Sequence, residues 1–428
     1  MAGGFHPNRA AILASQLEQL RSLLAELFPG NVFYSQKLSA CGVTFDVASL
    51  EDFSRRFPFT TKSELVEDQR AHPPYGTGLT YPPDRYTRFH QTSGTTGTPL
   101  RWLDTPESWD WMVESWGEVY RAAGVDRHDR IYFAFSFGPF IGFWLAYEAG
   151  GRLGALCIPG GGMSSAARLR AIIDNAATVL CCTPTYALRL AEVAAQENLD
   201  LRQARVKTLI VAGEPGGSIP AIRGRLTQLW HGARVFDHHG MTETGPVTHE
   251  CPARPGVLHV IESAYYAEII NPVTSKPVPA GQTGELVLTT LGRIGSPLLR
   301  YRTGDMVKAD TQPCPCGRAD VALVGGILGR TDDMIVVRGV NVYPSAVEEI
   351  VRSADGVLEY QMQVSTAQSL TDLRLQIEPR LDCADVAALV AKLEKSFQTQ
   401  FALRVPVGVV TAGSLPRFEM KAKRWVKI

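Results

Sequence analysis

The run Thr92-Ser93-Gly94-Thr95-Thr96-Gly97-Thr98-Pro99 puts hydroxyls and glycines where a loop must wrap a polyphosphate, and it lacks the GK[ST] ending of a Walker loop. Glycines let backbone amides turn toward the anion, and threonine hydroxyls donate further hydrogen bonds. The positive charge such a loop lacks can come from a distant lysine if the chain folds back. Lys421, in Leu415-Pro416-Arg417-Phe418-Glu419-Met420-Lys421, is the candidate, and the chain would then hold ATP between two parts. A second constellation is Cys251, His259 and Cys314-Pro315-Cys316-Gly317. Three thiolates and an imidazole make a four-coordinate structural zinc set, and a Cys-x-Cys turn followed by glycine can present two sulfurs to one ion. The spacing is looser than that of a paired CxxC finger, so three unlinked thiols are the alternative.

These groups need elements to position them. Arg9 to Phe28 carries apolar residues at helical spacing and stops at Pro29-Gly30, which predicts an amphipathic surface helix. Thr105-Pro106 opens another helix, whose stripe of Trp109, Met112 and Trp116 is expected in the core. From residue 130 short apolar runs (131–135, 155–158, 178–182, 207–211, 234–236) alternate with helical stretches, the pattern of a parallel sheet covered on both faces. Each run leads into a loop of special residues, among them Gly213-Glu214-Pro215 and Asp237-His238-His239-Gly240-Met241-Thr242-Glu243. Ligands of open α/β sheets bind beyond the carboxyl ends of strands, so these loops should converge on one crevice. After about residue 255 strands and turns alternate, predicting a β subdomain up to 328, and residues 329–428 read as a small α+β domain. The fold class expected is α/β: a large N-terminal domain over 1–328 with parallel sheets covered by helices, and a small mobile C-terminal domain.

Composition argues for specific small ligands. The 428 residues carry 43 Lys+Arg against 43 Asp+Glu, which offers no basic surface for nucleic acid and no electrostatic pull toward an anionic membrane. The N-terminus lacks a basic-then-apolar signal pattern and the stretch Phe140–Tyr147 ends at Glu148, so a cytoplasmic protein is expected. The other cysteines, Cys41, Cys157, Cys181, Cys182 and Cys383, read as small core or surface residues.

With these pieces placed, the chain resembles the adenylate-forming superfamily, and most closely its phenylacetate-CoA ligase branch. The ordered motifs that carry the resemblance are Ser93-Gly94-Thr95-Thr96-Gly97, Gly240-Met241-Thr242-Glu243, Tyr301-Arg302-Thr303-Gly304-Asp305, Gly329-Arg330-Thr331-Asp332-Asp333-Met334, Arg338-Gly339-Val340-Asn341-Val342-Tyr343-Pro344 and Lys421. The resemblance implies a two-step reaction, in which a carboxylate attacks the α-phosphorus of ATP and the acyl-adenylate is then taken by the thiol of coenzyme A. It implies that Glu243 ligates Mg2+ beside Thr242, that Asp305 and Arg330 meet the ribose, and that Lys421 bridges carboxylate and phosphate. Gly213, Glu214, Pro215, Asp237, His239, Gly240 and Met241 would border the nucleotide. Asp332 matches the hinge about which the C-terminal domain turns, and Arg338, Gly339, Val340 and Asn341 form the loop on the coenzyme A side. Some members of the branch have a zinc-like cluster where Cys251, His259, Cys314 and Cys316 stand.

Taken singly these residues have plainer readings. Asp305 fits a turn acid, Glu243 a helix cap with Thr242, Lys421 a solvated tail lysine near Lys423 and Lys427, and Asp332 a surface aspartate in a turn. Phe135, Phe137 and Phe140 fall where the resemblance puts an aryl pocket, although each also fits ordinary core. His238 stands where relatives commonly have an apolar residue; as an unpaired polar group it implies an aromatic acid with a hydroxyl or amino substituent. His239, where relatives have tyrosine, can still stack on adenine. The acceptor reads as coenzyme A or a carrier-protein phosphopantetheine, and a homodimer is the expected assembly. A nucleotide-binding sensor without catalysis is the alternative of another class, opposed by the retention of both Glu243 and Lys421.

Overall fold

The computed structural model describes residues 8–28, 30–92, 99–338, 340–367, 370–418 and 422–428. Its centre is a five-stranded parallel sheet in the spatial order Leu156–Pro159, Arg130–Phe133, Val179–Cys182, Thr208–Val211, Arg234–Asp237. Alternate residues of these strands face opposite sides, as the two-residue pleat requires. Ile131, Phe133, Cys181, Ile210 and Phe236 join one core with the helices Pro106–Ala123 and Trp144–Leu153. Tyr132, Leu180, Cys182, Leu209 and Val235 join a second core under the helices Ser165–Asp174, Pro184–Gln196 and Pro220–Leu229. Both faces are therefore covered, which is why these strands read as continuous apolar runs.

The helix Pro106–Ala123 begins where the Thr105 side chain caps it and ends at Gly124 with φ 71°, and Trp109, Met112 and Trp116 are buried. The helix Arg9–Leu27 packs Leu20, Leu23, Leu24 and Leu27 into a core of its own with Phe53 and Phe57.

Two antiparallel sheets follow the parallel one. A three-stranded sheet joins Thr248–Glu250, Val257–Val260 and Ala322–Val324, and a four-stranded sheet joins Tyr265–Ile270, Thr283–Thr290, Tyr301–Lys308 and Gly329–Arg330. The C-terminal segment has its own core, in which Val347, Ile350, Met362, Leu375, Leu393 and Phe397 are buried between a four-stranded sheet and the helices Pro344–Ser353 and Val386–Phe401. That core meets the large domain through polar contacts. Ala422 N–H donates to Glu214 Oε2 at 2.8 Å, Ala221 N–H to Glu349 Oε2 at 3.4 Å and Arg424 to Thr185 Oγ1 at 3.4 Å. Among the described residues no helix is long and apolar enough to cross a membrane.

Candidate nucleotide and acid site

The phosphate-loop residues Ser93, Gly94, Thr95, Thr96 and Gly97 lie outside the described residues, as do Gly339, Lys421 and the side chain of Asn341. The stem of the loop is clear: Arg88–Gln91 pairs antiparallel with Arg101–Asp104, and Thr92 closes it with hydrogen bonds to Leu100 of 2.9 and 3.0 Å. Gln91 N–H donates to Pro139 O at 2.6 Å, which ties this stem to the loop after the strand Arg130–Phe133.

Gly240-Met241 and Gly245-Pro246 form a tight antiparallel hairpin, and only glycine fits at 240 because a Cβ there would lie 2.7 Å from Gly245 O. Thr242 and Glu243 therefore occupy its turn, and the helix-capping reading is excluded. The turn is fixed from below by Arg293, fully buried, whose guanidinium donates to the carbonyls of Thr242 and Glu243 at 2.9 and 2.6 Å. The same guanidinium grips Asp104 in a bidentate pair, 2.7 Å on each arm. Glu243 Oε1 accepts from Lys62 Nζ at 3.0 Å. Lys62 opens the helix Lys62–Ala71, capped by Thr61, and Thr60 is docked onto Tyr301, so a cation is delivered to this carboxylate from far away in the chain. Magnesium takes one or two carboxylates plus substrate phosphates, and the Glu243 carboxylate has a second oxygen besides the one that accepts from Lys62.

Asp305 is 2% exposed and its two oxygens face two different basic side chains. Oδ1 accepts from Arg330 at 3.0 Å, while Oδ2 lies 3.1 Å from His239 Nε2 without the alignment of a hydrogen bond. Burial pushes the Asp305 carboxyl up, but His239 and Arg330 outweigh it and hold it below the ordinary carboxylate range. A carboxylate has about four lone-pair sites, so it still has acceptor capacity for a ribose diol. Arg330 also chelates Asp332, at 2.8 and 3.1 Å, and thereby joins the proposed ribose ligand to the proposed hinge. His239 turns a ring edge to Asp305.

Other expected residues are placed differently. The Asp237 carboxylate is occupied by the Ser218 hydroxyl and by the His238 N–H at 2.9 Å, so it orders the loop that carries Gly213 (φ 95°) and Pro215. Met241 packs against the cluster of Leu65, Leu100, Trp102, Leu298 and Tyr301. Arg338, at φ 50°, turns the hairpin between Ile335–Val337 and Val340–Val342 and pairs with Asp372 at 2.7 Å. Among the described residues no hydrogen bond or ion pair joins Arg338 to Asp305 or Glu243. Glu214 does what its sequence did not signal: Oε1 accepts Thr185 N–H and Oε2 accepts Ala422 N–H, both at 2.8 Å, which anchors the residue next to Lys421.

The aromatic wall is continuous. Phe135 touches Phe137, Phe140 and Phe143 edge to face, with centroids 5.9, 5.1 and 5.3 Å apart. Phe143 meets Trp116 at 5.9 Å, and Trp116 meets His238 at 4.3 Å. The Phe135 ring lies directly over Gly142, where a Cβ would come within 1.9 Å of it. Phe135, Phe137 and Phe140 are half-buried, as pocket walls are, whereas Phe143 and His238 are buried. The expectation of an unpaired His238 is corrected: Nδ1 lies 2.6 Å from Thr248 O, so it carries the proton and donates. Burial lowers the His238 pKa to about 3, and the neutral ring presents Nε2 as an acceptor.

The sulfur cluster assembles as its spacing suggested. One ligand atom each from Cys251, His259, Cys314 and Cys316 lies within 4.8 Å of the others. Cys251 Sγ is 3.4 Å from Cys314 Sγ, and Cys316 Sγ is 3.4 Å from His259 Nε2. A tetrahedron of ~2.3 Å metal–sulfur bonds has edges of about 3.8 Å, close to these separations. His259 Nδ1 faces Asp320 O at 3.4 Å, the outer contact that leaves Nε2 free for a metal.

Fold and site together define an ATP-dependent ligase that converts a carboxylate to an acyl-adenylate. The AMP-binding enzyme profile matches residues 60–292, and that of the AMP-binding enzyme C-terminal domain matches 339–427. The phenylacetate-coenzyme A ligase of Pseudomonas putida is 31% identical over 96% of this chain and 93% of its own length. A crystal structure of 2-hydroxyisobutyryl-CoA ligase in the postadenylation state superposes with a TM-score of 0.93 at 29% identity, covering 98% of this chain and 90% of that one. The same ligase in its thioesterification state, with coverage of 98% and 90% and 30% identity, gives only 0.74, so the domains of this chain are arranged as in the postadenylation structure of that ligase. The chain belongs to the AMP-binding enzyme family, as an AMP-forming acid–thiol ligase.

Proposed function

We propose that the protein activates an aromatic carboxylic acid, aryl or arylacetic, with ATP and Mg2+ and passes the acyl group to coenzyme A. The observation that carries this reading is the convergence of Glu243 with Lys62, Asp305 with Arg330 and His239, and the aromatic wall from Phe140 to His238, all beyond the carboxyl ends of the parallel strands. Phosphoryl-centre chemistry needs positioning and charge neutralisation more than covalent help. Asp305 orients the nucleotide through its ribose, and the loop 93–97 with Lys421 neutralises the phosphates. Magnesium, when bound at Glu243, offsets charge on the departing pyrophosphate. Rotation about Asp332 then withdraws Lys421 and brings Arg338, Gly339, Val340 and Asn341 toward the thiol.

The acid is the finer part of the proposal. A wall of half-buried rings suits a flat apolar body, and its polar atoms include Trp116 Nε1, a donor unpartnered among the described residues, and His238 Nε2, which accepts a hydrogen bond. We therefore assign the acid a donor substituent, hydroxyl or amino, on the side facing His238. Cys251, His259, Cys314 and Cys316 hold a structural zinc ion that pins the loop 314–317 to the three-stranded sheet. The protein acts in the cytoplasm. The test is thioester formation with coenzyme A over a panel of paired acids. Hydroxy- and amino-aryl acids should exceed their unsubstituted and methoxy counterparts in kcat/KM by about tenfold, the value of one hydrogen bond left unmade in a buried site. Preference for a straight-chain aliphatic acid would contradict the aromatic assignment.

A further inference from the structure

A partly open cleft of about 230 Å3 lies between the two domains, lined by none of the residues placed at the nucleotide or acid site. Its floor is apolar, from Leu188 of the helix Pro184–Gln196 and Ile222 and Leu229 of the helix Pro220–Leu229. Its opposite wall belongs to the C-terminal domain and brings Arg352 and Arg380 to face Arg225. Most of the arginines around the cleft are held in ion pairs: Arg189 by Glu192, Arg352 and Arg424 by Glu348 and Glu359, Arg417 by Glu378. Arg225 differs. Its guanidinium donates to Gln228 Oε1 at 2.8 Å and has no carboxylate partner among the described residues. Burial, then the charge of Arg380, lowers its pKa; Asp355 and Asp382 pull the other way, and Arg352 adds the smallest push downward. Among the described residues the Arg380 guanidinium pairs with Asp355 and Asp382, whose side chains are 90% and 68% exposed, and such exposed pairs are cheaply exchanged.

We propose that this cleft is a binding site for a small amphipathic oxyanion, an aryl phosphate or aryl carboxylate, with its anionic group between Arg225 and Arg380 and its ring on the Leu188–Ile222–Leu229 floor. A planar guanidinium matches both oxyanions through paired N–H donors. The volume is that of about eight waters, enough for one ring and its anionic group. Because the walls come from both domains, the site exists in the postadenylation arrangement and is dismantled when the C-terminal domain turns. A ligand that binds one of two arrangements shifts the balance toward it, so an occupant restrains the thioester-forming step while leaving adenylation intact.

The effect on the two half-reactions rests on the proposed function, whereas binding does not, so binding is measured first on the full chain without ATP or acid. Phenylphosphate should bind by titration calorimetry, inorganic phosphate at least tenfold more weakly for want of the floor, and benzoate should show whether a carboxylate serves as well. Arg225→Gln should weaken phenylphosphate at least tenfold, and Ala195→Trp, which fills the cleft from an exposed lining position, should abolish its binding. At ten times its dissociation constant phenylphosphate should slow thioester formation from supplied acyl-adenylate by about tenfold and leave acid-dependent ATP–pyrophosphate exchange unchanged. Equal affinity in the unaltered chain and in both variants, or no binding at all, overturns the site. Binding with equal inhibition of both half-reactions overturns the coupling to domain rotation.

Discussion

Glu214→Gln isolates the contact that fixes the neighbour of Lys421. In the postadenylation arrangement one carboxylate oxygen accepts Thr185 N–H and the other accepts Ala422 N–H, each at 2.8 Å. Glutamine keeps the length and one acceptor but presents an NH2 group to one of the two N–H donors, so one hydrogen bond becomes a donor facing a donor. Hydrogen bonds to a charged group are worth ~1.5–3 kcal/mol, and the half-buried setting of Ala422 favours the lower end. If the contact is made in the adenylating arrangement and broken in the other, its loss appears in the first half-reaction only. The expected result is a ~10- to 30-fold fall in acid-dependent ATP–pyrophosphate exchange, with thioester formation from supplied acyl-adenylate within about twofold of the unaltered enzyme. A melting curve controls for folding. A loss below about twofold in exchange, or equal losses in both half-reactions, would show that Glu214 does not position the lysine segment.

Further outcomes follow from other contacts. Arg293→Met removes the cation from a fully buried pair and leaves Asp104 uncompensated, which should cost about 3–5 kcal/mol in denaturant unfolding; a loss under about 1 kcal/mol would mean that water reaches the pair. If Cys251, His259, Cys314 and Cys316 hold zinc, purified protein should contain about one zinc per chain by elemental analysis and melt at lower temperature after a strong chelator; metal-free protein of unchanged stability would refute the site. His238→Ile should shift preference toward the unsubstituted aryl acid by about tenfold, and an unchanged ratio of kcat/KM values would place His238 outside the pocket. The same variant has a pH signature. The His238 pKa falls from an ordinary 6.5 to about 3, so between those values the unfolded chain holds the extra proton and folding weakens as pH falls. His238→Ile should therefore flatten the stability slope between pH 6 and 4 by about 1.4 kcal/mol per pH unit relative to the unaltered chain; identical slopes would mean that the imidazole is solvated.

The parallel sheet was legible because strands covered on both faces cannot afford polar residues, so the runs around Ile131, Val179 and Ile210 stood out. Their ends were less so. The first strand stops at Phe133, not Phe135, because Gly138, Pro139 and Gly142 bend the following segment until the Phe135 ring lies over Gly142. The cysteine and histidine cluster was readable since few residue types ligate zinc. What escaped were pairings made by the tertiary fold alone: Lys62 with Glu243, Arg293 with Asp104, Glu214 with Ala422. Their partners are far apart in the chain and no periodicity links them. His238 was recognised as out of place, but its Thr248 partner depended on how two strands meet.

Two-step chemistry with Lys421 confined to the first step is the central claim, and one experiment bears on it most directly. Lys421→Ala would be compared with the unaltered enzyme in acid-dependent ATP–pyrophosphate exchange and in thioester formation from supplied acyl-adenylate and coenzyme A. A charge-assisted contact at the transition state is worth on the order of 3 kcal/mol, so exchange should fall by at least ~100-fold while thioester formation holds within a few-fold. Exchange that survives the substitution, or equal collapse of both steps in a folded protein, would contradict the account.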